Sequence, residues 1–253
     1  MIVQILGCYG GESPDCRPVS LLINGTVLLD AGGVTSALPL KDQSKINAIL
    51  VSHTHLDHIQ DIGFLADNIF GKRDQPVRIY GTKTCLQYLK EHVLNNHIWP
   101  DFTTIPSAQA PVLAYEAIQP GREFQVDGLT VKAVKVDHAV PTVGFIVSDE
   151  KASLVYTADT GPTQQIWKEA NKLKNLKAVF VEASFPNELR RLAQMTGHLT
   201  PDLAAAEIRK ISQNDFSTYV LHMKPAFLEV LAQELKSHGE KMRLLKQGER
   251  IRV

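Results

Sequence analysis

The sequence predicts an α/β fold in which two sheets pack face to face with helices outside. Short β-prone runs alternate with amphipathic stretches from end to end, and the runs gather into two β-rich halves, about 1–125 and 126–253, each ending in helices. No fixed-period repeat, Gly/Ser linker or block of charge divides the 253 residues, and 44% of them are hydrophobic. One domain spanning 1–253, with one substantial core, is the expectation.

The elements follow in order. Strands are expected at 2–6 (IVQIL), 19–24 (VSLLIN) and 26–30 (TVLLD), the last two joined through Asn24-Gly25, a hairpin turn signal. The run 48–52 (AILVS) is nearly all apolar, as a buried central strand requires. A helix is expected over 59–70, and another over 85–96 with Leu86, Leu89 and Val93 on one face. Further strands are TVKAVKV (130–136), TVGFIVS (142–148), SLVYTA (153–158), KAVFVE (177–182) and TYVLH (218–222). Between the last two, Thr200 before Pro201 reads as an N-cap, with Leu203, Ile208 and Ile211 facing inward. A final helix runs from Pro225 to His238 and stops at Gly239.

Composition narrows the function. The 27 basic and 27 acidic residues balance, so no net field gathers a long polyanion, and a strongly basic nucleic-acid binder is disfavoured. The N-terminus lacks a leader pattern, and no apolar stretch approaches the ~18 residues that span a bilayer, so a cytoplasmic protein without a membrane partner is expected. Cys8, Cys16 and Cys85 show no C-x-x-C spacing, which suggests neither a disulfide framework nor a thiolate zinc site. A metal here must use nitrogen and oxygen ligands.

Directly after AILVS comes HTHLDH: His53, His55, Asp57 and His58. In extended backbone, residues two apart point the same way, so His53 and His55 can grip one cation while Asp57 and His58, as the chain turns into helix, aim at a second. Imidazole and carboxylate suit zinc, with manganese or iron as alternatives, better than magnesium or calcium. Six residues cannot complete two shells, so further ligands are expected at strand ends. His138, Asp159 and His222 each follow a predicted strand.

These residues resemble the metallo-β-lactamase superfamily. The resemblance implies a four-layer αβ/βα sandwich of two mixed sheets with helices outside. It implies one metal site from His53, His55, His138 and Asp159, and a second from Asp57, His58, Asp159 and His222, with Asp159 bridging through its two oxygens. Asp30, ending TVLLD, matches a superfamily position that supports a ligand histidine; a turn-forming Asp before Gly32 and Gly33 is the other reading.

Several segments look like class II cyclic nucleotide phosphodiesterases of the bacterial type: HTHLDHI, NHIWPDFT (96–103), TADTGP (157–162), VEASFPN (181–187), GHLTP (197–201) and LHMKP (221–225). Asp61 departs from the pattern, since members usually carry Gly after the hexad. Phosphodiester members use a glutamate and histidine pair related to Glu182 and His198, which supports His198 as a general acid oriented by Glu182. Asp57 would also orient the attacking oxygen. Trp99, Phe102, Phe185 and Asn187 lie in shared segments and are candidates to hold a base, or simply core; Lys224 faces either phosphate or solvent.

The implied activity is hydrolysis of 3′,5′-cyclic AMP or GMP to the nucleoside 5′-monophosphate by two divalent metal ions. The implied partner is a small cyclic nucleotide rather than a large nucleic acid, and a homodimer would be usual. Alternatives left open are an RNase Z-type tRNA 3′ endonuclease, a phosphodiesterase for dinucleotides or other cyclic phosphates, and a metal-stabilised nucleotide-binding module.

Overall fold

The computed structural model describes residues 1–239 and 242–253. The first sheet takes β1 (Ile2–Gly7), β2 (Ser20–Ile23), β3 (Val27–Leu29), β4 (Ala48–Leu50), β5 (Val77–Thr82) and β6 (Leu113–Ile118) in chain order. The second takes β7 (Glu123–Val126), β8 (Leu129–Lys135), β9 (Val143–Ser148), β10 (Ser153–Tyr156), β11 (Leu176–Glu182), β12 (Ser217–Leu221) and β13 (Met242–Leu244). The last strand, β14 (Arg250–Arg252), returns to the first sheet and pairs antiparallel with β1. β1 to β6 thus build one sheet and β7 to β13 the other, and the C-terminal strand crosses back to the first.

Strand alternation sorts the apolar residues into layers. Val27 and Leu29 face the other sheet, in a cluster with Ile5, Leu21, Leu50, Phe145, Tyr156 and Phe180, whereas Leu28 between them packs outward with Ile49, Ile62 and Leu65. In the second sheet Leu154 and Tyr156 point inward, and Val155 points outward to Trp167, Leu203 and Leu231. Three apolar clusters separated by two sheets give helix, sheet, sheet, helix, the expected four layers. Both sheets are mixed: β3 to β6 run parallel, as do β10 to β13, while the remaining pairs are antiparallel.

Local chemistry explains the element ends. Asn24 and Gly25 both have positive φ (51° and 79°), as the tight turn between β2 and β3 requires. Thr200 caps the helix Pro201–Ile208 by accepting from Leu203 N. The expected helix over 85–96 runs instead from Lys83 to His92. Thr82 caps it, and Asn95 Oδ1 accepts from His97 N and Ile98 N, giving the backbone an alternative to continued helix. The expected helix over 59–70 divides into Leu56–Ile59 and Asp61–Ile69, because Asp61 N donates to Ala31 O rather than one turn back. The Pro225 helix opens with a 3-10 turn and becomes α-helical over Leu228–Lys236. No helix among the described residues is long and apolar enough to cross a membrane.

Topology gathers the strands that matter. β8 is antiparallel to β9, and β9 to β10, so β8 points along β10, and β10 to β12 are parallel. The residues that follow β8, β10 and β12 therefore emerge at one edge of the second sheet: His138, Asp159 and His222.

Candidate metal centre

At this edge the seven residues meet. Donor atoms of His53, His55, His138 and Asp159 lie within 4.8 Å of one another, and those of Asp57, His58 and His222 form a second such group. Asp159 stands between the two. Its Oδ2 lies 3.7 Å from His53 Nε2 and 3.9 Å from His138 Nε2, while Oδ1 lies 3.3 Å from His58 Nε2 and 3.2 Å from His222 Nε2. His55 joins through Nδ1, 3.2 Å from His138 Nε2, and Asp57 Oδ2 lies 3.2 Å from His222 Nε2.

Hydrogen bonds behind the cluster fix which ring nitrogen faces it. Ser52 Oγ gives its one proton to Asp30 Oδ2 at 2.7 Å and so accepts from His53 Nδ1 at 3.0 Å. His58 Nδ1 donates to the same Asp30 Oδ2 at 2.8 Å, and His138 Nδ1 to Gly197 O at 2.8 Å. His222 Nδ1 meets Ser184 Oγ at 2.8 Å, whose proton goes to Glu182 Oε2 at 2.6 Å. Four imidazoles thus engage Nδ1 behind them and turn Nε2 toward Asp159, the arrangement in which an outer acceptor orients a ligand histidine. Asp30 is fully buried and also accepts from Ser52 N and the Tyr156 hydroxyl, so it supports the site and makes the turn, at φ 55°.

Backbone strain concentrates here. Asp30, Ala158 and His222 all have left-handed φ, of 55°, 54° and 61°, a conformation costing L-residues ~1–2 kcal/mol each. His222 is clamped besides: its N donates to Cys8 O at 2.7 Å, and a methyl on Gly10 would sit 2.6 Å from its Nδ1.

Charge follows burial. Burial, reinforced by His58, holds the His53 pKa well below the usual imidazole range; burial and His138 lower that of His55, and burial lowers that of His138. For Asp159 burial works upward, but the surrounding His222 and His58 outweigh it and hold its pKa well down. Burial likewise opposes ionisation of Asp57, and the hydrogen bond from His222 outweighs it. His58 is the exception among the imidazoles: burial would lower its pKa, yet Asp159 on one side and Asp30 on the other raise it well above the usual value. A position between two buried carboxylates attracts a cation as it attracts a proton.

The donor set fits a divalent metal. His53 Nε2, His58 Nε2 and Asp159 Oδ1 are buried without a hydrogen-bond partner and are gathered at one place, as donors awaiting a cation would be. Six nitrogen or oxygen donors around one two-oxygen carboxylate, with no thiolate, form the kind of donor set that zinc, manganese or iron accepts.

A family model for the beta-lactamase superfamily domain matches residues 25–223. The chain belongs to the metallo-β-lactamase superfamily. It is 25% identical over 209 residues to a Yersinia pestis protein named "Probable 3′,5′-cyclic-nucleotide phosphodiesterase", covering 73% of this chain and 59% of that one. It is 32% identical over 181 residues to a ribonuclease Z of Mycobacterium sp. (strain KMS), covering 63% of this chain and 61% of that protein. The chain thus spans about six tenths of the length of these relatives. In fold it matches unliganded yeast PDE1 with a TM-score of 0.83 at 18% identity, over 100% of this chain and 99% of that one.

Within this superfamily member, the residues beyond the cluster separate into those that reach it and those that do not. His198 Nδ1 lies 2.8 Å from Glu182 Oε1 and 4.0 Å from Asp159 Oδ2. Burial would lower the His198 pKa, but the Glu182 carboxylate outweighs it and raises it. Glu182 is fully buried and also accepts from Thr160 N, Ser184 Oγ and Leu199 N. Phe185 touches the site, its ring edge-on to His198 at 5.7 Å, with Lys224 Nζ 5.3 Å from the ring centre. Trp99 and Phe102 pack instead into the outer layer of the first sheet, Trp99 against Gly63 and Phe64. Asn187 Oδ1 accepts from Asp202 N, tying the Asn187 loop to the first turn of the helix Pro201–Ile208. Asp61, the departure from the family pattern, accepts from Val34 N and Thr35 N at 2.6 and 2.7 Å and pins the loop after β3.

Sequence reasoning missed Ser52, Ser184 and Tyr156. Ser184 had a faint signal, lying two residues after Glu182 where a strand would keep both side chains on one face; Tyr156 had none.

Proposed function

We propose that this protein is a dinuclear-metal phosphodiesterase that hydrolyses 3′,5′-cyclic nucleotides to nucleoside 5′-monophosphates. The observation that carries it is the buried Glu182–His198 pair set against Asp159: an imidazole whose Nδ1 is held by a carboxylate, so that its other ring nitrogen is left to serve as a proton source. Esters with a poor leaving oxygen need such a proton.

His53, His55, His138 and Asp159 would hold one cation, and Asp57, His58, Asp159 and His222 the other; zinc suits these donors best. When bound, such ions bring the pKa of water down toward about 7 and neutralise charge on phosphate oxygens. Asp57, at the mouth of the cluster with 27% of its side chain exposed, orients the attacking water by accepting its hydrogen bond. As the new P–O bond forms and the bond to O3′ breaks, His198 Nε2 gives its proton to O3′. Glu182 stabilises the charge on the imidazole before the transfer and restores its orientation afterwards. His53, His58, Asp159 and His222 are almost wholly shielded, so Asp57 and His55 are the donors of the cluster that a compact diester meets first.

The similarity to ribonuclease Z supports a second reading, cleavage of precursor tRNA, because the pair and the cluster serve any accessible phosphodiester. The balanced charge of 27 and 27 favours the smaller substrate. The test is product analysis of the metal-loaded protein with cyclic AMP, cyclic GMP and a precursor tRNA. Conversion of a cyclic nucleotide to its 5′-monophosphate is expected; tRNA cleavage with both cyclic nucleotides untouched overturns the proposal in favour of the second reading.

A further inference from the structure

Beside the cluster lies a cavity of about 460 Å3, within the ~300–1,000 Å3 typical of small-molecule sites. Its wall includes the backbone of His138, whose fully buried ring turns Nε2 toward His55 at 3.2 Å, so a single residue stands between cavity and cluster. Thr82 and Lys135 also line it: Thr82 ends β5, the neighbour of the strand that leads into His53, and Lys135 ends β8 three residues before His138. Val143, on the same wall, donates its N to Ser52 O at 3.1 Å, fastening the cavity to the HTHLDH loop. A second cavity, of about 550 Å3 with Arg209 and Arg243, lies around Ser217, at the start of β12, whereas His222 follows its end. At ~3.3 Å per residue these five residues put it too far for one small ligand to reach both.

The chemistry of the nearer cavity is specific. Val136, Val140 and Pro141 offer aliphatic surface for the faces of a flat ring. No carboxylate lines it, and Lys135 is its one charged group. Lys135 is exposed and has no hydrogen-bond or ion-pair partner among the described residues. Three threonine hydroxyls line it as well: Thr82 accepts from Cys85 N and Thr142 donates to Val140 O, and these groups and Thr84, each able both to donate and to accept, do not by themselves distinguish the two purines. An ammonium only donates. Guanine presents two adjacent acceptors, O6 and N7, whereas adenine pairs the N7 acceptor with the N6 donor.

Resting on the cyclic-nucleotide reading above, we propose that this cavity is the base subsite and that Lys135 selects a 6-oxopurine, guanine, over adenine. The preference lies in ground-state and transition-state binding alike, since the base is remote from the bond that breaks.

The test measures kcat/KM of the metal-loaded protein for cyclic GMP and cyclic AMP, with bis(p-nitrophenyl) phosphate as a base-free diester, and equilibrium binding of GMP and AMP to the metal-free protein. A preference for cyclic GMP of roughly tenfold is expected, the scale of a good base contact. Lys135→Met should bring the ratio close to one, and Lys135→Gln, whose amide both donates and accepts, should move it toward cyclic AMP. A wild-type ratio near one, or one that Lys135→Met leaves in place, overturns the subsite. Hydrolysis of the base-free diester with neither cyclic nucleotide turned over overturns the cyclic-nucleotide reading instead. The binding arm then decides the subsite alone: tighter GMP binding lost in Lys135→Met supports it, and equal binding of GMP and AMP overturns it.

Discussion

The Tyr156 hydroxyl donates to Asp30 Oδ2 at 2.6 Å across the interface between the two sheets. Tyr156 ends β10 three residues before Asp159, and Asp30 follows β3 and holds the rings of His58 and, through Ser52, His53. This bond therefore helps to join the sheets at the level of the site, and the carboxylate that orients two imidazoles is itself held from the opposite side.

Removing that donor tests the relationship. Tyr156→Phe keeps the ring in the inter-sheet core but leaves Asp30 short of one of four donors. A charged hydrogen bond of this kind contributes about 1.5–3 kcal/mol, so the urea midpoint should fall by that equivalent. Loss of an outer support should also weaken retention of a bound divalent metal against a chelator, by up to roughly 10–100-fold. An unchanged midpoint would show that the bond adds nothing net.

Asp159 and His198 should separate cleanly. Asp159→Ala removes the one carboxylate facing both donor groups, so elemental analysis should find the protein losing bound metal at both. His198→Ala should retain the metal and slow turnover of the native diester by roughly 10² to 10⁴, the range for a general acid. An activated nitrophenyl ester, whose leaving group needs no proton, should be affected much less. Equal loss on both esters would contradict the acid role.

Gly10 positions His222 by having no side chain. Gly10→Ala places a methyl 2.6 Å from the His222 ring and 2.7 Å from its carbonyl oxygen, and the backbone contact offers nothing flexible to give way. Activity and metal content should fall together while far-UV circular dichroism keeps its native shape. Full metal content in this variant would show that the ring moves aside without harm.

Stability should decline on the alkaline side. Burial, foremost, pushes the Cys8 and Cys85 thiols up from 9.0 to about 12. Their contribution is whole below pH 9, where folded and unfolded thiols are both protonated. It is lost as pH rises toward 12, because only the unfolded chain releases those protons. Urea midpoints between pH 8 and 11 should fall less steeply in a Cys8→Ala, Cys85→Ala variant, and in the native protein both thiols should resist alkylation at pH 8.

Much of this site is written locally. HTHLDH carries four donors in six residues after an apolar strand, and His138, Asp159 and His222 each stand where a strand stops, so backbone geometry alone points them toward a rim. The four layers follow from alternation within strands such as β3 and β10, and the Asn24-Gly25 turn from its two residues. Glu182 and His198 were legible as a pair through the resemblance to phosphodiester members of the superfamily, not through local pattern. β5, which alternates over Val77–Thr82, was legible in principle, whereas three-residue strands such as β14 are too short to carry a period.

The tertiary structure alone decided what stands behind the donors. Ser52 and Asp30, Asp30 and Tyr156, and Ser184 and His222 are 22, 126 and 38 residues apart, and each bond depends on a rotamer and a sheet-to-sheet distance that no local pattern encodes. The same holds for the division of labour between ring nitrogens, Nδ1 outward and Nε2 inward at four histidines. A hydrogen bond is directional over about 3 Å, so its partner is fixed only after hundreds of apolar contacts have set where two distant strands come to rest.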